Sequence, residues 1–260
     1  MPKLSDVRAF LLDIDGTLAL GDHLLPGALA FLATLERTGR KWLYLTNNSS
    51  RSAEDTLLKI QKLGLPVTPE QVLTSGQSAF RHLRGLGHQR LYLMGTPSLQ
   101  GEARAEGFEL VAPEETPQAV LLGFDRTLTF EKLRQAHRLL HQGLPFFATH
   151  PDLVCPTADI PEPDVGSMLA LFHASSGRRA VILGKPEPPM AAAALARLGL
   201  APKECAMVGD RLYTDIAFAH RAEMQSVLVF SGETRPGTDY PEGQRPDIAL
   251  PSIGDLIPLL

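Results

Sequence analysis

The chain has 260 residues, 44% of them apolar, with 25 Lys and Arg against 29 Asp and Glu and a net charge of −4. That is enough for one large domain or two modest ones, each with an ordinary core. No basic cluster marks a nucleic-acid groove and no apolar run approaches the ~20 residues that cross a bilayer, so neither nucleic acid nor membrane is expected as a partner. Cys155 and Cys205 lie far apart and show no metal-ligand spacing. So few thiols suit a reducing, cytoplasmic setting, and the N-terminus does not read as a signal peptide.

The first element is an apolar run, Val7 and Ala9 to Leu12, with the continuity of a buried strand in a parallel sheet. It runs into Asp13 and Asp15, whose side chains point the same way for as long as the strand lasts, and Gly16 permits a sharp turn. Two carboxylates this close repel unless a cation lies between them or one takes a proton. The pair therefore suits a divalent metal and a phosphorylated ligand, although taken alone it reads more readily as a strand entering an acidic turn. Pro26 opens a helix over residues 28–38, with Leu29, Leu32, Ala33 and Leu35 at helical spacing, and Gly39 stops it. Trp42 to Leu45 form a second strand, followed by Thr46-Asn47-Asn48-Ser49-Ser50. A helix over 52–63 and a short strand over 72–74 complete the strand–helix repeat of an open α/β sheet.

From about Gly76 the alternation starts afresh. Helices over 77–86, 99–106 and 130–141 alternate with strands over 90–94, 119–123 and 145–148. A Pro- and Asp-rich loop over 149–163 and a helix over 165–175 follow. The first module then resumes with a strand over 180–183 that ends in Gly184-Lys185-Pro186. Pro188 and Pro189 suit the first turn of the next helix. A strand over 205–208 ends in Gly209-Asp210, with Asp215 close behind, and a helix, two further strands and a short terminal helix complete the chain. The expected organisation is a core from residues 1–76 and 181–260, interrupted by a second α/β module over 77–180.

Four strands of this core end in chemistry: Asp13 and Asp15, Thr46 and Asn47, Lys185, and Asp210 with Asp215. Each is weak alone: a Thr-Asn-Asn turn is usually a helix cap, and Gly-Asp after a strand is usually a turn. Ligands of open parallel sheets bind beyond the carboxyl ends of the strands, where all four groups fall. Carboxylates can hold a hard cation while a hydroxyl and an ammonium take phosphate charge.

On Asp13-Ile14-Asp15-Gly16-Thr17, Thr46-Asn47-Asn48, Gly184-Lys185-Pro186 and Gly209 to Asp215, in that order, the sequence resembles the haloacid dehalogenase (HAD) superfamily phosphatases. The resemblance is closest to the NagD-type, 4-nitrophenylphosphatase-like subfamily, with Gly21, Pro26-Gly27 and Thr149-His150-Pro151-Asp152 as secondary matches. It implies a Rossmann-like parallel-sheet core with an inserted α/β cap. By motif position it implies Asp13 as nucleophile, forming an aspartyl-phosphate, and Asp15 as the acid and then the base. Thr46, Asn47 and Lys185 would bind the phosphoryl group, Asn47 orienting it or Asp13. Mg²⁺ would be held by Asp13, the backbone carbonyl of Asp15 and Asp210, with Asp215 behind or acting through water. The substrate would be a small phosphorylated metabolite: a nucleoside monophosphate, a sugar phosphate, phosphoglycolate or a mimic such as 4-nitrophenyl phosphate. A homodimer through the cap is compatible with the resemblance.

His150 stands where the subfamily often has Asn. It reads equally as a contact to the leaving group, with Asp152 beside it, and as a turn-capping histidine. Asp125, with Arg126 at the end of a cap strand, reads as a substrate or interface feature or, more readily, as a turn. Two readings from other classes use similar residues. A phosphoryl-accepting signalling module also pairs Asp, Thr and Lys on an open sheet, but its acidic pair and phosphorylated Asp lie on different strands and its domain is much shorter. An inert phosphate-binding protein on the same scaffold would not need every catalytic position filled.

Overall fold

The computed structural model describes residues 4–157 and 159–260. The chain divides into two compact units: Met1–Thr46, Leu57–Leu73 and Lys185–Leu260 form the first, and Asn47–Thr56 with Thr74–Gly184 the second. Both are α/β, with parallel sheets flanked by helices.

The sheet of the first unit runs in the order Ile248–Leu250, Gln225–Val229, Cys205–Gly209, Ala9–Asp13, Lys41–Thr46, Val72–Thr74. From the Ala9–Asp13 strand the chain winds first to one side and later to the other, so this strand stands where the winding reverses. Ala9 to Leu12 are fully buried, as are Cys205 to Val208, because the sheet is covered on both faces. Alternate side chains serve opposite faces. Ala9 and Leu11 join Leu43, Leu45, Met207, Met190, Ala194 and Phe218 in one cluster, while Phe10 meets the ring of Phe31 edge-on at 5.5 Å. Phe31 lies on the helix Ala28–Arg37, which buries Phe31, Leu32 and Leu35 together. The helix Pro188–Leu198 begins on proline and ends at Gly199 in the left-handed region, φ 67°, the asymmetry that helix termini favour.

The sheet of the second unit runs in the order Val181–Ile182, Phe146–Ala148, Ala119–Leu122, Arg90–Met94, Glu109–Leu110. Its faces alternate cleanly. Tyr92, Met94, Val120 and Leu122 pack with Phe146 and Phe172, whereas Leu91, Leu93, Leu121 and Phe147 pack with Phe80, Leu83 and Leu99. Thr74, Thr96, Thr129 and Asp164 each cap the helix that follows by accepting a backbone N–H, a contribution of about 1 kcal/mol apiece.

Two expectations are corrected. The strand expected over 180–183 as the return to the first sheet is Val181–Ile182, an edge strand of the second sheet paired parallel with Phe147 and Ala148. An apolar run covered on both faces carries no mark of which parallel sheet it joins. The loop over 149–163 contains a small antiparallel ladder, Val154–Cys155 with Glu162–Pro163, too short to show a period. Among the described residues no helix is long and apolar enough to cross a membrane.

Candidate active site

Register decides what stands beside Asp13. On one side Asp13 is level with Leu45, so buried Thr46 is the next residue on. On the other side Leu12 is level with Val208, which brings Gly209 abreast of Asp13 and Asp210 just past it. Lys185 and Asp215, remote in the chain, join the same place. Lys185 Nζ donates to Asp13 Oδ1 at 2.5 Å and to Asp215 Oδ1 at 2.7 Å. Asp215 Oδ2 accepts the Arg211 N–H at 3.1 Å. Asp13, Asp210 and Asp215 each offer an oxygen, all within 4.8 Å of one another.

The electrostatics of this cluster are unbalanced. Lys185 and Asp215 are nearly inaccessible, with side chains 2% and 1% exposed. Three carboxylates against one ammonium leave two negative charges uncompensated. Arg211, paired with Glu233 at 2.9 Å, offsets this only in part, through Asp210. Burial, opposed by Lys185 and reinforced by Asp215 and Asp210, pushes the Asp13 carboxyl well above its usual range. Burial and Asp215 likewise push Asp210 up to about 7, against the Glu233 N–H, Arg211 and Lys185. Burial alone would lower Lys185; Asp13 and Asp215 outweigh it and hold the ammonium firmly charged. Carboxyls driven toward protonation in this way are ones that a cation can discharge instead.

The donor set fits a hard divalent cation. Asp210 Oδ2 accepts the Glu233 N–H at 2.6 Å, but Asp210 Oδ1 is buried without a hydrogen-bond partner among the described residues, a costly state for a carboxylate oxygen. Two glycines keep the space around that carboxylate clear. Gly16 has φ +92°, and a Cβ there would come within 2.5 Å of Asp210 Oδ2; a Cβ on Gly232 would overlap the Asp210 carboxylate outright. Oxygen-only ligands on a rigid strand end are what Mg²⁺- or Ca²⁺-like ions take.

Asp15 goes elsewhere. The strand ends at Asp13, Asp15 makes only an isolated bridge to Ala19, and its Oδ1 accepts from Lys59 Nζ at 2.7 Å. Its carboxylate is not part of the three-carboxylate cluster. The two carboxylates therefore part company at the turn.

The remaining expected residues belong to the second unit. Asn47 Nδ2 donates to Asp152 Oδ1 at 3.0 Å, and Ser75 Oγ donates to the Asn47 carbonyl at 2.6 Å. His150 is fully buried. Its ring nitrogens face Thr149 Oγ1 at 2.9 Å and Asp164 Oδ1 at 3.0 Å, and Asp164 in turn caps the helix Val165–Ser176. Asp125 is occupied with its own turn: Oδ1 accepts from the Thr127 N–H and hydroxyl, and Oδ2 from Lys132 Nζ at 2.7 Å. Sequence reasoning missed Lys59, Gly232 and the Glu233 N–H. A lysine on an amphipathic helix reads as a solvated face, and a backbone donor leaves no mark in side-chain pattern.

A family model described as haloacid dehalogenase-like hydrolase matches residues 10–109, and an HAD-hydrolase-like model matches residues 182–256. The 5'-nucleotidase YutF of Bacillus subtilis is 30% identical over 254 residues, covering 97% of this chain and 98% of that protein. The solved 4-nitrophenylphosphatase of Thermotoga maritima superposes with a TM-score of 0.91 at 40% identity, covering 98% of each chain. NagD of Escherichia coli K-12 superposes with a TM-score of 0.86 at 27% identity, covering 96% of this chain and 98% of that one.

Proposed function

The chain belongs to the haloacid dehalogenase-like hydrolases, in their NagD-type, 4-nitrophenylphosphatase-like branch, and is a phosphatase; from that premise we propose that it hydrolyses small soluble phosphomonoesters through a phosphoaspartate on Asp13. The observation that carries the proposal is Lys185 Nζ bridging Asp13 and Asp215 beside the orphaned oxygen of Asp210.

A carboxylate attacks a phosphate dianion poorly, because like charges repel, so positioning and charge compensation supply most of the catalysis. In the proposed sequence Lys185 holds Asp13 by one oxygen and presents its positive charge to the phosphoryl oxygens. Asp13 attacks phosphorus, and the P–O bond to the leaving group breaks as Asp15 gives that oxygen a proton. Asp15, now a carboxylate, takes a proton from a water that attacks the phosphoaspartate. Inorganic phosphate leaves and Asp13 is restored. Splitting one displacement into two lowers each barrier. The Thr46 hydroxyl is assigned to a phosphoryl oxygen. Mg²⁺ would be held by Asp13, the Asp15 carbonyl and Asp210, with Asp215 behind them, and when bound would neutralise the negative excess of the cluster. The substrates proposed are nucleoside monophosphates, sugar phosphates and similar small metabolites.

The test is phosphate release over a metabolite panel and 4-nitrophenyl phosphate, with Mg²⁺ and with EDTA. Asp13→Asn is expected to abolish turnover while leaving the folded protein intact by circular dichroism. Turnover comparable to the parent would remove Asp13 as nucleophile, and undiminished release in EDTA would remove the metal.

A further inference from the structure

Lys59 lies on the helix Ala53–Lys62. That helix buries Thr56 and Ile60, and Lys59 sits at the edge of the same face, its side chain 18% exposed. Its ammonium donates to Asp15 Oδ1 at 2.7 Å, and among the described residues no other side-chain hydrogen bond to the Asp15 carboxylate is present. Asp15 stands beyond the end of its strand, next to the left-handed Gly16, with its side chain 32% exposed.

We propose that Lys59 is a positioning residue for the reaction, fixing the Asp15 carboxyl by Oδ1 so that Oδ2 alone carries the transferred proton. The inference rests on the roles proposed above for Asp13 and Asp15. An ammonium has three donors and no acceptor, so the oxygen it holds accepts and cannot itself bear a proton directed at Lys59. In the first step the proton on Oδ2 passes to the leaving-group oxygen as the P–O bond breaks. In the second a proton of the attacking water passes to Oδ2 as the bond from phosphorus to Asp13 breaks. The same grip serves both directions, since Oδ1 is an acceptor in either protonation state. Proton transfer needs the donor within hydrogen-bond reach of the reacting oxygen, and a swinging carboxyl meets that condition only part of the time.

The leaving group provides a readout that a merely structural lysine would not move. An alkyl oxygen must be protonated as it departs, whereas 4-nitrophenolate leaves as a weakly basic anion. Single-turnover release of the leaving group is therefore measured with a sugar phosphate and with 4-nitrophenyl phosphate, in Lys59→Met, Lys59→Arg and Asp13→Asn. Methionine keeps the buried stem and removes the charge. Lys59→Met is expected to slow release from the sugar phosphate at least ~10-fold and from 4-nitrophenyl phosphate less than about threefold, with Lys59→Arg restoring most of the loss. Equal losses on both substrates, no loss on either, or failure of arginine to rescue would each overturn the positioning role while leaving the dead Asp13→Asn variant, and with it the proposed reaction, in place. An active Asp13→Asn would overturn both.

Discussion

Glu102 offers a sharp test of how this chain folds, away from the candidate site. It lies on the helix Pro97–Ala105 of the second unit. Its Oε1 accepts the N–H of Ala53, the first residue of the helix Ala53–Lys62, at 3.0 Å, and so satisfies one of that helix's orphan donors. Its Oε2 is buried with no hydrogen-bond partner. Burial raises its pKa from 4.5 to about 7, the Ala53 N–H opposes this, and Glu106 and Asp55 add to it. The sign follows from proton linkage. The folded state binds the proton more tightly than the unfolded chain, so this contribution to stability is fully present below pH 4.5 and is lost as the pH rises through about 7. The difference between the two values corresponds to about 3 kcal/mol. Glu102→Gln keeps an oxygen for Ala53 and cannot titrate. Urea unfolding of parent and variant is compared from pH 4.5 to pH 8.5, and only the difference is read, so that every other titration cancels. The variant is expected to gain about 3 kcal/mol on the parent across that window, nearly all of it below pH 7.5. A difference that stays constant with pH would refute the account of a desolvated, half-satisfied carboxyl.

The metal cluster carries two further expectations. Burial raises Asp13 above its usual range and Asp210 from 3.8 to about 7, so the metal-free protein is stabilised by these carboxyls at low pH and loses that contribution as the pH rises through 7. Mg²⁺ is therefore expected to raise the thermal midpoint more at pH 8 than at pH 6, and equal shifts at the two pH values would contradict the proton competition. Gly232→Ala puts a methyl group into the Asp210 carboxylate. It is expected to lower kcat at least ~100-fold and to weaken the Mg²⁺-dependent stabilisation with little change in far-ultraviolet circular dichroism. Activity within twofold of the parent would mean that the Asp210 carboxylate can move aside at no cost.

The positions of Asp13, Lys185 and Asp210 were legible because Asp13 directly follows an apolar run and the other two follow one after a single glycine, and an apolar run that stops at a charged residue marks a strand's carboxyl end from sequence alone. Their convergence was legible only as a rule about open sheets, until the register set Asp13 between Thr46 and Asp210. The sheet to which Val181–Ile182 belongs was not legible, because Ala-Val-Ile-Leu suits any strand covered on both faces. Lys185 itself begins the returning segment of the first unit, although the strand just before it in the chain pairs in the second sheet. Asp15 parted from Asp13 for a local reason: alternation holds only while the ladder continues, and the ladder ends at Asp13, two residues short of Asp15. The burial of His150 depends on Asp164, fourteen residues on, a contact that no local pattern encodes.

The charge of the cluster also explains why a phosphatase would place a lysine where it does. Lys185 alone, facing Asp13 and Asp215, gives a net negative pair of contacts that would repel a phosphate dianion at the distances involved. Removing one carboxylate would still leave one negative charge in excess, and would leave either no carboxylate for the proposed attack or too few oxygens for a hard cation. Retaining all three and admitting a divalent ion would bring the cluster to neutrality, with Lys185 still touching Asp13, the nucleophile proposed above. A dianionic substrate would then meet a site that no longer repels it, and under the proposed roles the Asp13 carboxylate is already held by an ammonium that would face the charge developing on phosphorus. In the proposed reaction the excess of two negative charges is thus what a doubly charged cation would cancel, and a monovalent ion at the same oxygens would leave the repulsion half in place.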